Sequence, residues 1–377
     1  MAKLKVLHVI PTLLTGGAER LVTDLVIFSD RSKFEVSVLS ICKTESIFEK
    51  ELEEKGFKIH SLNFPLEKYL DHKKRYLYYL PIVLKTRRYL QNLQPDILHF
   101  HLGGQKFLLP ASLFLRIPVK IRTIHTVAEK DAPGFRRFFN KLAFKFFGVV
   151  PVSISKEVAK TVAQVYGSKI FSPVIYNGID TQRFIGSKKI KRPNEELILI
   201  NVARFERVKN HKLLIEAFEE ALMKQPNMEL WLVGDGSLRR EIELLVQKKD
   251  LTEKVKFLGI RSDIPQLLNQ VDMFVLSSDY EGFGLVVAEA MAAGIPVIST
   301  AVAGVKEILE NGKYGVLVPV GDAEALAKAI VELAKDERKR AEFSEQGRKV
   351  AVGRFDIRNT VKKYEELYLS LLDKNKR

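Results

Sequence analysis

Short apolar runs alternate with amphipathic helical stretches along this chain, in two consecutive series. Few folds tolerate that order. Strand, helix and strand in repetition imply parallel sheets covered by helices. In the first series the expected strands are 4–10, 35–39, 58–62, 97–100, 119–124, 149–152 and 172–175, with helices such as 18–28, 81–93 and 156–165 between them. The turn Asn177-Gly-Ile-Asp180 follows, then a polar stretch, 186–196, that reads as a domain boundary. In the second series the expected strands are 197–202, 229–233, 255–257, 273–276, 297–298 and 315–318, and the helices include 211–223, 238–248, 264–269 and 323–335. A last helix, 355–374, places Val361, Tyr364, Leu367, Tyr368 and Leu371 at helical spacing. A length of 377 residues exceeds one ordinary core. The expectation is therefore α/β, with two doubly wound domains of similar size, 1–180 and 181–354. Such sheets bind ligands beyond the carboxyl ends of their strands.

Other classes are disfavoured. There is no low-complexity tract, no repeat, and no apolar run of the roughly 18 residues that a membrane-spanning helix needs. The N-terminus runs straight into a strand without the features of a signal peptide. The single cysteine, Cys42, excludes an internal disulfide. A reducing, cytoplasmic setting is expected. The charge is uneven: residues 1–180 hold 28 Lys and Arg against 16 Asp and Glu, whereas 181–377 hold 33 against 30. The basic first half is expected to meet an anionic partner, or else is a solubilising surface. Two basic aromatic segments, 68–90 and 135–147, fit either an anionic membrane or helices packed on a core with a solvated basic face.

Glu281-Gly-Phe-Gly-Leu-Val-Val-Ala-Glu289 places two carboxylates eight residues apart across a glycine turn. Eight residues of helix rise about 12 Å. Carboxylates accept hydrogen bonds from vicinal diols, and a helix N-terminus between them suits a diphosphate. The turn N–H groups of Gly282, Phe283, Gly284 and Leu285 lie between the two acids. Arg204 and Lys209 follow strand 197–202, a fork and a point charge suited to phosphate, or a solvated loop. Gly16 and Gly17 open the first helix, as phosphate-facing donors or as a tight turn. Gly234, in Val233-Gly-Asp-Gly236, and Gly259 with Ile260, after strand 255–257, are base-contact candidates or plain connections. His125 ends strand 119–124, where ligand-facing residues sit. His99 and His101 share one strand face, but no third ligand at a metal-like spacing is visible in the sequence and no Asp-x-Asp occurs.

Together these elements resemble a retaining glycosyltransferase of family 4, of the GT-B type and the bacterial polysaccharide kind. The likeness rests on Gly16-Gly17-Ala-Glu19, Tyr176-Asn-Gly-Ile-Asp180 with Phe184, Arg204 with Lys209, Val233-Gly-Asp-Gly236, the Glu281 and Glu289 pair, and Ala293-Gly-Ile-Pro-Val297. The resemblance implies two Rossmann-like domains facing across a cleft, the C-terminal helix crossing back to the first. It implies that Glu289 binds the nucleotide ribose, that Glu281 lies near the transferred sugar, and that Arg204 and Lys209 neutralise the departing diphosphate. Gly17 would close over the diphosphate, His125 would lie beside the sugar, and Glu19 would meet the acceptor; His101 is a further acceptor-binding candidate. No metal or other cofactor is expected.

The implied function moves a hexose or N-acetylhexosamine from a nucleotide diphosphate sugar, UDP favoured, to a lipid-linked or glycan acceptor in cell-surface polysaccharide synthesis. The mechanism would be a metal-independent front-face displacement. The expected place is the cytoplasm, either free or held peripherally on the cytoplasmic face of the inner membrane, with no nucleic-acid partner. Alternatives are a GDP-mannose-dependent mannosyltransferase, a GT-B-type nucleotide-sugar epimerase, and a non-enzymatic nucleic-acid-binding protein. The last explains the charge but not Arg204, Lys209, Glu281 and Glu289 together.

Overall fold

The structure is a computed structural model that describes residues 2–14, 16–70, 78–132, 134–185 and 196–376. Thr15, the middle of the basic segment 68–90, and most of the polar stretch 186–196 lie outside the described residues. The chain divides into two compact units, Met1–Gly178 with Ile357–Arg377, and Ile179–Asp356.

The first unit holds one six-stranded parallel sheet: β1 (Leu4–Ile10), β2 (Phe34–Ser40), β3 (Lys58–Ser61), β4 (Ile97–His101), β5 (Val119–Ile124) and β6 (Val149–Ser153). Their order is β3-β2-β1-β4-β5-β6. The second unit repeats that pattern with β7 (Leu197–Val202), β8 (Met228–Val233), β9 (Val255–Gly259), β10 (Met273–Leu276), β11 (Val297–Thr300) and β12 (Val316–Val318), ordered β12-β11-β10-β7-β8-β9. Both are doubly wound. The strand order reverses between β1 and β4 in one unit and between β7 and β10 in the other, and such switch points are where ligands bind. The central strands are mostly apolar and buried because helices cover both faces.

The C-terminal helix, Ile357–Lys376, belongs to the first unit. Its apolar stripe buries Ile357, Val361, Tyr364, Tyr368 and Leu372 against Val6, Leu21, Leu25, Ile97 and Ile121. Each such side chain removed from water contributes roughly 1.5–3 kcal/mol. The Tyr176–Asp180 motif explains how the chain passes between units. Thr360 Oγ1 donates to the Tyr176 carbonyl at 3.0 Å, and a side chain on Gly178 would strike the Ile357 backbone. Ile179 N donates to the Phe355 carbonyl at 2.8 Å, and Thr181 Oγ1 donates to Asp356. The outgoing and returning strands of chain are thus pinned within each unit, a structural duty for residues that sequence alone offered only as a family signature.

Two expectations are corrected. The strand expected at 172–175 is absent; Val174 forms only an isolated bridge to Ser153. The helix expected from 355 starts at Ile357, because an 18-residue helix, Glu337–Arg354, runs up to it. That helix shows no apolar stripe and buries only Phe343, Gly347 and Ala351, so periodicity gave no signal.

Candidate functional site

At the second unit's switch point, the loops after β7 and β10 are tied together. Lys209 Nζ lies 2.6 Å from Glu281 Oε1, and Ser278 Oγ donates to the same oxygen at 2.9 Å. Ser277 Oγ donates to the Lys209 carbonyl at 3.0 Å, and Asp279 N donates to the Val208 carbonyl at 2.9 Å. Asn210 takes the left-handed conformation, caps the following helix at Leu213 N, and donates to Asp279 Oδ1 at 2.8 Å. The side chains of Lys209 and Glu281 are only 19% and 12% exposed, so their attraction is screened less than a surface pair's. Arg204 is exposed on the same loop and enters no ion pair among the described residues.

The Glu281 turn leads into the helix Leu285–Ala292, capped by Gly284 at φ +101 with no side-chain cap bond. Its first-turn N–H groups carry the positive end of the helix dipole. Glu281 lies in the turn and only Glu289 lies on the helix, so the rise of about 12 Å for eight helical residues does not apply. Phe283 is buried against Phe355, ring centres 5.5 Å apart. Gly304 N donates to the Glu281 carbonyl at 3.3 Å, and a side chain there would hit the Phe283 backbone. Glu289 is half-buried. Gly234 takes φ +133 and packs on Ala203; Gly236 packs on Phe205. These glycines let the loops after β7 and β8 stack, which is the plain reading of the Gly-Asp-Gly turn. Gly259 ends β9 at φ +66, and Ile260 beyond it is 63% exposed.

At the first unit's switch point, Gly16 and exposed Gly17 begin the helix Gly17–Ile27 after β1. A side chain on Gly16 would collide with the Glu19 carboxylate, which folds back over the turn. Arg20 is committed to Asp24 and to Glu51, the latter at 2.6 Å. His8 on β1 stands in register with His99 on β4, and His101 in register with Thr123 on β5. These residues and half-buried His125 form one cluster. His8 Nδ1 lies 3.0 Å from His101 Nε2, and His101 Nδ1 lies 3.2 Å from His125 Nε2. His99 bonds the Tyr368 hydroxyl through Nδ1 and Thr123 Oγ1 through Nε2, each at 2.7 Å. Burial pushes the imidazolium pKa of His8 down to about 3, and burial with Arg122 nearby does the same for His125. Burial and its neighbours lower His99 and His101 well below their usual range. All four are therefore neutral at pH 7.

The fold brings Lys209, Glu281, Arg204 and the Gly284 turn to one switch point, and His101, His125, Gly16 and Gly17 to the other. His101 is fully buried with both ring nitrogens on other histidines, so the acceptor contact expected of it is withdrawn. His8, Ser278, Asn210 and Gly304 went unread. A third histidine was visible in β1, but its pairing with β4 is a register, which one strand's sequence does not announce.

The aromatic face of the helix Phe135–Phe146 is exposed rather than packed on the core: Phe138, Phe139 and Phe146 are 55%, 46% and 65% exposed. Arg136, Arg137, Lys141 and Lys145 are exposed on the same helix. Among the described residues no helix is long and apolar enough to cross a membrane.

Residues 15–183 match the family described as Glycosyltransferase Family 4, and residues 182–350 match Glycosyl transferases group 1. The chain is 29% identical over 312 residues to N-acetyl-alpha-D-glucosaminyl L-malate synthase of Bacillus anthracis, covering 79% of this chain and 81% of that one. It is 24% identical to the UDP-Gal:alpha-D-GlcNAc-diphosphoundecaprenol alpha-1,3-galactosyltransferase of Escherichia coli, covering 98% of each. Among solved structures, Anabaena HepE in complex with UDP-glucose superposes with a TM-score of 0.80 at 25% identity, covering 97% of this chain and 99% of that one. Adjoining family matches over nearly the whole chain and two sheets of the same strand order agree: the protein belongs to the family 4 glycosyltransferases of GT-B architecture.

Proposed function

We propose that this glycosyltransferase transfers a hexose or N-acetylhexosamine, with retention, from a UDP-sugar to a lipid-linked or glycan acceptor in bacterial cell-surface glycan synthesis. The observation that carries the donor reading is the Lys209–Glu281 pair beside Arg204 and the Gly284 helix start, all at the carboxyl edge of one sheet. Breaking the bond between sugar C1 and phosphate oxygen builds negative charge on the diphosphate. Arg204, Lys209 and the helix dipole stabilise that charge without reorganising. The acceptor hydroxyl attacks C1 on the face the phosphate leaves, and the departing phosphate oxygen takes its proton. Glu281 holds Lys209 in place, and Glu289 takes the ribose diol. Gly17, His125 and the acceptor-side Glu19 keep the roles given by family likeness. No metal enters this scheme.

Two features support the finer reading. The B. anthracis and E. coli relatives are named for transfer or synthesis involving N-acetylglucosaminyl or galactosyl groups, and the Anabaena structure holds UDP-glucose. The exposed Phe138, Phe139 and Phe146 among arginines and lysines suit a peripheral dock on an anionic lipid surface.

A thermal-shift screen of UDP- and GDP-sugars tests the donor, since a ligand that binds only the native state raises the melting temperature. A shift with UDP-sugars alone is expected. A shift with GDP-mannose alone would replace the donor, and a shift with none would remove the reading. Sedimentation with anionic but not neutral vesicles tests the dock.

A further inference from the structure

The donor site uses neither His8 nor His101, yet both are buried in line with His125. A neutral imidazole has one N–H and one bare nitrogen. His101 spends both on histidines: Nε2 faces His8 Nδ1 at 3.0 Å, and Nδ1 faces His125 Nε2 at 3.2 Å. Each of these contacts needs one protonated and one bare nitrogen. If His101 is protonated on Nδ1, it donates to His125 Nε2, so His125 keeps its proton on Nδ1. His101 Nε2 is then bare and requires a proton on His8 Nδ1. The other solution puts the proton on Nε2 of all three rings. No third neutral arrangement satisfies both contacts.

The rings are held for this. His8 and His101 are 2% and 0% exposed. The His99 ring packs 4.1 Å from His101 and is itself fixed by Tyr368 and Thr123. His8, at the far end, lines a small cavity under the C-terminal helix with Ser29, Tyr364 and Glu365. The tautomers of the three rings are thus coupled, so a change at His8 changes what His125 offers at Nδ1, two rings away.

We propose that His8 and His101 are positioning residues that lock His125 into one tautomer and one ring orientation through a chain of three coupled imidazoles. This rests on the reading that His125 lies beside the transferred sugar. There the chain decides whether His125 donates to a sugar oxygen or accepts from a sugar hydroxyl. A metal is the rival use of these rings. The ligand atoms of His8, His99 and His101 lie within 4.8 Å of one another, but His99 and His101 already bond through both nitrogens, and ligation would break those links.

The test is long-range nitrogen–proton NMR on the full chain with 15N-labelled histidine, which separates bare, protonated and metal-bound ring nitrogens. His8, His101 and His125 are expected to share one tautomer. His8→Leu is expected to shift the His101 and His125 signals and to lower kcat about tenfold, near the loss of one orienting hydrogen bond, with little change in donor KM. His8→Asn keeps a polar group at the δ position and is expected to recover most of that rate. Mixed tautomers in the wild type, a metal-bound nitrogen, or unmoved His125 signals in His8→Leu would overturn the proposal. If His8→Leu does not fold, the wild-type tautomers and the His8→Asn spectrum decide. A shared tautomer in a protein that turns over no nucleotide sugar would sink the donor reading and leave the coupled chain standing.

Discussion

The two units use one strand order and put opposite electrostatics at its reversal. Between β7 and β10 the second unit concentrates charge: Lys209 paired with Glu281, and Arg204 exposed beside them. Between β1 and β4 the first unit concentrates neutral polarity, four histidines bonded to one another and to hydroxyls. The scaffold sets where a site forms, and the residues at the strand ends set what it can do. A charged edge stabilises a departing anion. A neutral hydrogen-bonding edge positions hydroxyls without adding charge beside a sugar.

The contrast is broken most strongly by acid. His8 and His125 have folded pKa values of about 3 against an ordinary 6.5, so between those values the unfolded chain binds protons that the folded chain does not. Their stabilising contribution is complete above pH 6.5 and is lost as pH falls toward 3. At pH 5 the loss is about 2 kcal/mol for each such histidine. Among the described residues the second unit has one comparable group, His211, lowered to about 4 by burial and by Lys209. Acidification is therefore expected to unfold the first unit first. Far-UV circular dichroism should change before the fluorescence of Trp231, the single tryptophan, which lies on β8. Coincident transitions would count against a neutral, buried cluster confined to one unit.

Next comes Arg204→Ala. Removing a preorganised charge from a leaving-group site lowers turnover about 10²–10³-fold. Because Arg204 is exposed, the melting temperature should stay put. Turnover within a factor of about two of wild type would remove the charged edge from the mechanism. Glu281→Gln is a smaller perturbation: it leaves Lys209 largely buried without its counter-charge and is expected to cost about 1–3 kcal/mol in urea unfolding. Adding Lys209→Met should restore part of that stability while turnover stays low. A double variant no more stable than Glu281→Gln would show that the pair is not coupled.

How much of this was legible depended on what each feature is made of. Strands such as β1, β7 and β10 were readable to the residue because apolar runs bounded by loops encode them locally. The loop cations and the Glu281 turn were readable as chemistry, since charge beside glycine after a strand has few uses. Pairings across the sheet were not. That Lys209 meets Glu281, 72 residues away, and that His8 meets His101, 93 residues away, follow from strand order and register. Arg204, exposed, and His101, buried, looked equally available in sequence because exposure is a property of the packed sheet.

The finest discrimination compares one hydroxyl at each edge. Tyr368→Phe removes the partner of His99 Nδ1, an atom in a ring with no exposed surface. No water replaces it without opening the helix Ile357–Lys376, so the first unit should lose about 1–2 kcal/mol, the cost of an unsatisfied buried polar group. Ser278→Ala removes one of two partners from Glu281 Oε1, but Lys209 remains at 2.6 Å and the carboxylate is partly open to solvent. That loss should stay near 0.5 kcal/mol, because water can take the vacated bond. Urea titrations followed by circular dichroism and by Trp231 fluorescence measure both. A larger loss for Ser278→Ala than for Tyr368→Phe would mean that charge rather than burial sets what a hydrogen bond is worth at these edges. The neutral histidine cluster would then be the tolerant side of the molecule.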